Sequence, residues 1–459
     1  MINKVFTLKN ILILGFILRL IFLLGGWKFI YFNNPFFTND TGSYTDSFLN
    51  LWQKGIFSFD LENADAYYGR LPGYPFFWGI HYLIFGAKNV HFAVACTQSL
   101  LDVVSIYLVF SIVNKLFTTT SAIIAALIYA TYPFVIVWTT ISGTESYGCF
   151  LVLLFFYFLF CQSKSKWHPI IMGIMLAMCF YNREYYAVIA FSPIIFYFDT
   201  KNIKQFLLRS TIYSFSFFVL YAIWPIRNYV NHGRFILVKT ATTGYDRYSM
   251  DIISMRTWIY CWTSESTPVL DKIAFSQDTN VVDKNLFKEK KDYQLFQSLI
   301  KKARECGTGT HYWGKFEKYP KNKANCNDEI ENGFNYLIKK YKSDFTFNYL
   351  TVTPLMNLNK LFFKNGVNDI YQSNTKKIIL NFLFGYRSFL LLLGIIGVIY
   401  SFKSKTTWVM ISYTFLLYFF ICFIFRQLEM RYVLQADLIL TCIMASVGLE
   451  RIYKSLKIK

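Results

Sequence analysis

Charge is scarce in this sequence. Charged residues fill 16% of its 459 positions, against about 25% in soluble globular chains. Histidine occurs only five times. CxxC, HExxH, a Walker loop and GxSxG are all missing, so metal-hydrolase, ATP-driven and serine-hydrolase chemistry has no local support. No segment alternates strongly enough to read as a strand, and no internal repeat stands out. What is abundant is the opposite kind of residue: 54% hydrophobic and 20% aromatic, with 49 Phe and 34 Tyr. This balance excludes a soluble enzyme, a disordered chain and a disulfide scaffold. It leaves an all-α polytopic membrane protein.

Apolar runs of about 20 residues can each span a hydrocarbon core about 30 Å thick. Ten are read here, at about 10–30, 92–114, 120–139, 145–162, 168–182, 184–199, 206–226, 377–400, 406–425 and 432–450. The piece at 72–86 is shorter and holds two prolines, so it is expected to lie at the interface without crossing. The net charge of +20 does not point to nucleic acid, because many of the cations sit in short gaps between apolar runs. Lys115, Lys164 and Lys166, then Lys201, Lys204 and Arg209, then Lys403 and Lys405, and finally Arg451, Lys454, Lys457 and Lys459 fall in alternate gaps. By the positive-inside rule these gaps are cytoplasmic, with both termini on that side. The first run reads as an uncleaved signal anchor.

Three regions follow: a transmembrane module over 1–226 with its first outer loop at 31–71, an extracytoplasmic domain at 227–375, and C-terminal spans at 376–459. Residues 284–304 and 328–342 have helical apolar spacing, so the outer domain is expected to be mainly helical. Cys261, Cys306 and Cys326 lie in it. On an oxidising side Cys306 and Cys326 could pair, leaving one thiol over.

Ionisable groups inside spans are functional candidates by default. Arg19, Asp102 and Asp437 are noted there. Arg19 and Asp102 fall at similar depth on neighbouring spans, and a structural ion pair is the expectation. The outer mouths hold a different set. These are Asp40, Tyr44 and Asp46 in NDTGSYTD, Arg70 in RLPGYP, Glu145 in SGTESY, Arg183 and Glu184 in YNREYY, Arg227 and Asn228 in WPIRNY, and Glu429 and Arg431 in RQLEMRY. Polar helix ends explain any one of these alone. The recurrence of acid and arginine at nearly every outer mouth suggests chemistry. A carboxylate can act as a general base, and an arginine can hold a phosphate with paired donors. Paired outer carboxylates also suit a divalent ion, although no ligand cluster has zinc spacing.

In order and spacing, these motifs resemble the GT-C superfamily of membrane glycosyltransferases. The nearest branch is that of the protein O-mannosyltransferases and the bacterial aminoarabinose transferase of lipid A. The features carrying the resemblance are an arginine-bearing first span, Asp40-x-x-x-Tyr44, Arg70-Leu-Pro-Gly-Tyr-Pro75, Thr144-Glu145, Asn182-Arg183-Glu184, Trp224-Pro-Ile-Arg-Asn228 and Glu429-x-Arg431-Tyr432. They cover 10–230 and 377–450 but not the outer domain. The resemblance implies a polyprenyl-phosphate-linked sugar donor and a reaction on the outer face. It implies Asp40 as the first-loop catalytic acid and Arg70 as a donor-phosphate contact, with Leu71 where the family's Lys/Arg-Pro-Pro motif has proline. Glu145 would be the second acid. Asn39-Asp40 replaces the Asp-Glu pair frequent in protein mannosyltransferases and points away from that subgroup.

The expectation is an inverting glycosyltransferase in the plasma (inner) membrane, acting on its periplasmic or extracytoplasmic side. Its acceptor would be an envelope lipid, glycan or protein. Asp40 and Glu145 are the catalytic candidates. Arg70, Arg183 and Arg227 are the phosphate-binding candidates, with Tyr44, Glu184, Glu429 and Arg431 in support. Two rival readings are a flippase for lipid-linked glycans, which would want repeats and a charged midplane path, and a glycan polymerase or ligase, which would concentrate its key residues in the large loop.

Overall fold

In a computed structural model, the described residues are 7–30, 34–62, 64–239, 249–274, 278–309, 326–363 and 374–457. Among them there are helices and turns but no strand. In lipid only helices or closed barrels can satisfy the backbone, and these runs are too long and too uniformly apolar for strands.

Six helices are long and apolar enough to cross a membrane: Gly73–Leu116, Thr144–Cys161, Ile203–His232, Asn374–Ser401, Lys405–Phe425 and Met430–Leu456. Each matches one of the ten expected spans. The other four expected spans fall on shorter elements. Residues 10–30 correspond to the 17-residue helix Leu8–Leu24. Residues 120–139 correspond to Thr119–Thr131 and Pro133–Ile136, split at the extended Tyr132. Residues 168–182 match His168–Asn182, and 184–199 begin as a 3-10 turn before Phe191–Tyr197. The expected interfacial helix at 72–86 is continuous with the following span. Its break is Gly86, at φ 72° and ψ 169°, a conformation open to glycine and disfavoured for residues with a Cβ.

The membrane body has one large apolar core. Ile106, Val109, Tyr129, Phe155, Phe156, Met410, Tyr413, Leu434 and Ile443 belong to it. Most helices carry lipid-facing apolar residues, such as Leu24, Phe215, Phe382 and Ile399. The terminal span differs, being 94% buried over its most apolar window. That makes Met430–Leu456 the central post around which the others pack.

The segment expected on the outer side, called the outer domain below, has its own core. Met250–Ile259, Lys290–Glu305 and Asn327–Asp344 pack around Trp258, which contacts Phe287, Phe296 and Phe334. Lys284–Leu286 is a 3-10 turn ahead of the second of these helices. A disulfide joins Cys306 to Cys326, and Cys261 is a buried free thiol. The border expected at 226/227 falls inside the helix Ile223–His232. At the other end, Thr353–Phe363 packs on Asn374–Ser401 and puts Leu361 into the membrane core.

Two arginine–aspartate pairs cross the membrane body. Arg19 donates from Nε to Asp102 at 2.7 Å and from Nη1 to the carbonyl of Ala130 at 2.6 Å. Tyr129 donates its hydroxyl to the other Asp102 oxygen at 2.6 Å. The second pair corrects the sequence reading, which noted Asp437 within a span but passed over Arg387 in the run 377–400. Arg387 Nε donates to Asp437 at 2.7 Å and Nη1 to the carbonyl of Leu361 at 2.8 Å. Tyr418 donates to the remaining Asp437 oxygen. All four charged side chains are at most 1% exposed.

Candidate active site

The first outer loop enters the site through Thr41–Lys54. Asp40 occupies the N-cap position of this helix but makes no side-chain capping bond, so its carboxylate is free to turn elsewhere. The loop leaves through Arg70-Leu-Pro-Gly. Pro72 opens the next helix, and Gly73 lies against the backbone of residues 181–182. A Cβ on Gly73 would stand 2.6 Å from the Tyr181 carbonyl and 2.8 Å from the Asn182 nitrogen. Only glycine allows that approach, and the approach brings Arg70 to the same side as Arg183.

Arg183 is the C-cap of His168–Asn182, and Glu145 sits in the first turn of Thr144–Cys161. Each is at the helix end that favours its sign of charge. Arg431 is the reverse case, a cation in the first turn of Met430–Leu438. Three carboxylates compensate it.

These groups converge. Arg70 reaches Asp40 Oδ1 at 3.3 Å and Arg431 reaches Oδ2 at 2.8 Å. Arg431 also meets Glu429 at 2.5 Å through Nε. Glu145 Oε1 stands 3.4 Å from Arg183 and 3.6 Å from Arg431, at ion-pair distance but without a formed hydrogen bond. Arg70 Nε donates to Ser43 Oγ at 2.7 Å, and its guanidinium covers the Tyr44 ring at 4.3 Å. Arg183 donates to the hydroxyls of Tyr185 at 2.6 Å and Tyr44 at 3.1 Å. Tyr432 also lies beside Arg183, its ring 5.3 Å away.

A cavity of about 510 Å³ opens above this cluster. Asp40, Tyr44, Arg70, Arg183, Glu184, Glu429 and Arg431 line it. Its far wall belongs to the outer domain, through Arg256, Ile259, Tyr260, Ser266 and Leu270. Burial works to raise the Asp40 pKa, but Arg70, Arg431 and Arg183 outweigh it and hold the group below the 3.8 of a free aspartate. Burial pushes Asp46 the other way, upward.

Two of the expected residues stand elsewhere. Glu145 is 3% exposed and lies behind the two arginines, outside the cavity lining. Arg227 is turned away altogether. It donates to the carbonyls of Tyr67 at 2.8 Å and Phe57 at 2.7 Å, and it lines a second cavity of about 770 Å³ with Ile56, Phe76, Tyr181 and Trp224. Pro72 lines this second cavity while Arg70 and Leu71 line the first, so the two are neighbours across the loop exit.

Sequence reasoning missed Lys239, which pairs with Glu184 in the cavity, and the whole outer-domain wall. Lys239 stands in an unremarkable stretch and gives no motif to find. No group of three or more His, Cys, Asp or Glu able to hold a metal ion occurs among the described residues. Asp40, Glu145 and Glu429 each face a guanidinium instead.

The family model described as dolichyl-phosphate-mannose-protein mannosyltransferase matches residues 70–228. No curated protein matches the chain. Among solved structures, the oligosaccharyltransferase of Archaeoglobus fulgidus tethered to an acceptor peptide aligns with a TM-score of 0.51 at 12% identity, over 100% of this chain and 51% of that one. The same enzyme, AglB, in complex with an inhibitory peptide and a dolichol-phosphate gives 0.50 at 13% identity, over 99% and 51%. ArnT from Cupriavidus metallidurans bound to undecaprenyl phosphate aligns at 0.38 and 10% identity over 96% and 79%, too low to carry weight. The chain spans about half the length of AglB. Its six helices long and apolar enough to cross a membrane and its alignment along the full chain give one conclusion: this chain shares the fold of the aligned half of the Archaeoglobus fulgidus oligosaccharyltransferase.

Proposed function

We propose that the protein transfers a sugar from a polyprenyl-phosphate carrier to an envelope acceptor, on the outer face of the membrane. One observation carries this reading: a carboxylate, Asp40, faces a cavity of about 510 Å³ with Arg70, Arg183 and Arg431 around it. Transfer by a single displacement needs a base for the acceptor hydroxyl or amine on one side of the sugar carbon. On the other side it needs positive charge for the departing phosphate. Asp40 supplies the first, and the arginines supply the second. The outcome at that carbon is inversion.

In this reading Arg70 takes the donor phosphate through its paired donors, with Tyr44 beneath its guanidinium to fix the plane. Glu145 touches no substrate. It is a positioning residue that holds Arg183 and Arg431 in place from behind. Arg227 orders the first outer loop and does not contact phosphate. The apolar cavity beside Pro72 fits the first isoprene units of the carrier. The matches to the family model described as dolichyl-phosphate-mannose-protein mannosyltransferase and to AglB with dolichol-phosphate support a lipid-phosphate donor.

The test is transfer of labelled sugar from synthetic polyprenyl-phosphate donors by the purified protein in nanodiscs. Acceptors would come from envelope extracts, and Asp40→Asn is the control. Donor turnover by wild type and none by the variant is expected. Equal turnover by both would remove Asp40 from the reaction. The topology is checked separately by labelling cysteines introduced near Lys164 and Lys291, which are expected to react from opposite sides. The flippase reading wants charges along an open midplane path. The two midplane pairs are sealed by tyrosines and carbonyls, and no observation favours that reading.

A further inference from the structure

The loop between the last two spans is anchored by an arginine whose hydrogen bonds all run to backbone carbonyls. Arg426 follows the π-helical turn Phe420–Phe425 and has φ 57°. It is the single positive-φ residue other than glycine among the described residues. The left-handed region is disfavoured for a residue with a Cβ, and such a conformation persists only where its surroundings enforce it. Here the surroundings are carbonyls. Nε donates to Phe423 at 2.9 Å and Nη2 to Tyr349 at 2.7 Å. Nη1 reaches Tyr260 at 3.5 Å and Cys261 at 3.4 Å. The guanidinium lies 3.8 Å over the Tyr349 ring and is buried. Phe423 belongs to the end of a helix, where carbonyls lack intrahelical partners and the dipole favours a cation. Tyr260, Cys261 and Tyr349 belong to or adjoin the outer-domain core, and Tyr260 lines the cavity.

The residues that follow Arg426 carry part of the site. Gln427 donates to Glu429 at 3.1 Å, Tyr432 donates to Glu429 at 3.0 Å, and Glu429 accepts from Arg431. Arg431 then meets Asp40. A chain of contacts thus runs from the outer domain through residues 426–431 to the candidate base.

We propose that Arg426 is a positioning residue: by fastening residues 426–429 to the outer domain, it fixes Glu429 and Arg431 opposite Asp40. The kinetic part rests on the glycosyl-transfer reading, and the structural part rests on geometry alone. A left-handed turn by itself is served better by glycine. Arginine stands here for its guanidinium, which no glycine replaces.

The decisive variant is therefore Arg426→Gly, which keeps the turn and deletes the guanidinium. The expected result in nanodiscs is a kcat lower by about 10–100-fold, since a misplacement of about 1 Å remote from the chemistry can cost about 100-fold. Donor KM should change far less, because Arg70 is untouched. The charged groups facing Asp40 are Arg70, Arg431 and Arg183, with Glu145 and Glu429 behind Arg431. Displacing Arg431 alone raises the Asp40 pKa, so the acid limb of the rate profile moves to higher pH. Arg426→Lys keeps a cation at the helix end but not the four-point reach, so it should fall between wild type and glycine. It also serves as the test variant if the glycine protein does not fold. Wild-type kcat and an unmoved acid limb in Arg426→Gly would overturn the proposal. A cryo-EM map of the same variant gives a readout independent of activity. Residues 426–431 drawn away from Asp40 support the proposal, and an unchanged Arg431–Asp40 contact refutes it. Should wild type transfer no sugar, the glycosyl-transfer reading fails while the map still decides the role of Arg426.

Discussion

Arginine meets carboxylate in two regions of this molecule, and the two are built differently. In the membrane body Arg19 and Arg387 each face a single aspartate. That aspartate takes a tyrosine hydroxyl on its second oxygen, and the Nη1 group of each guanidinium donates to a backbone carbonyl. All four charged groups are at most 1% exposed, and water has no access. In the outer cluster Arg431 is shared among Asp40, Glu145 and Glu429, while Asp40 is shared between Arg70 and Arg431. One side of that network faces an open cavity. A closed pair in low dielectric cannot give up a partner without stranding a charge. An open, shared network can exchange a protein contact for a substrate phosphate at small cost, because several neighbours remain. The same residue types therefore hold the fold in one region and, in the proposed function, carry the chemistry in the other.

The largest effect expected from breaking this contrast is at Asp40. Asp40→Asn should fold and melt like wild type yet lose about 10²–10⁴-fold of transfer, the usual cost of deleting a general base. Asp102→Ala and Asp437→Ala should do the reverse. Each leaves a buried guanidinium uncompensated and should lower stability by about 3–5 kcal/mol, read as thermal unfolding in detergent. Arg19→Leu combined with Asp102→Leu should recover most of that loss. A folded but inactive Asp102→Ala protein would mean that the closed pair also serves the reaction, and the contrast would collapse.

At Arg70 the effect is intermediate. Arg70→Ala removes a charge-assisted bond worth about 1.5–3 kcal/mol, which should appear chiefly in donor binding. Arg70→Lys should lose less, because charge survives while the paired geometry does not. The pH dependence sharpens the point. Burial works to raise the Asp40 pKa, but three arginines outweigh it and hold it below the 3.8 of a free aspartate, so the base form is present at pH 3.8 and above and is lost only at lower pH. Arg431→Gln removes one of the three, raises the pKa and should carry the acid limb of the rate to higher pH. An acid limb that stayed put would place a different group in the role of base. The smallest effect belongs to Tyr44→Phe. It deletes one hydroxyl from Arg183 and should cost about 0.5–1.5 kcal/mol, a few-fold in rate.

Much of the fold was legible because lipid leaves a backbone few options. A long apolar run must be helical, and six expected spans are present as helices that meet the length and hydropathy needed to cross. The outer-domain helices at Lys290–Glu305 and Asn327–Asp344 were legible for a similar reason, since apolar spacing of 3.6 residues leaves one face to bury. Of the site, the residue types and their place at the helix ends could be read from motif position. Which acid meets which cation could not be read. Arg387 sat in a span with the same signal as Arg19, yet its partner comes from a helix that sequence order does not bring near. Arg227 looked like Arg183 at a helix exit, but the loop backbone at Phe57 and Tyr67 claims its donors.

By itself, then, the sequence determined a helical membrane protein with polar helix ends and a separate helical segment between its spans. Tertiary structure decided the rest. It chose Arg431 as the bridge to Asp40, moved Glu145 behind the arginines, turned Arg227 aside, and fastened residues 426–429 to the outer domain through Arg426. The reason is physical. Apolar burial in lipid follows local composition and can be summed along the chain. An ion pair is a choice among several candidates of the same sign, settled by distances of a few ångströms that only the packed helices and the approach at Gly73 define.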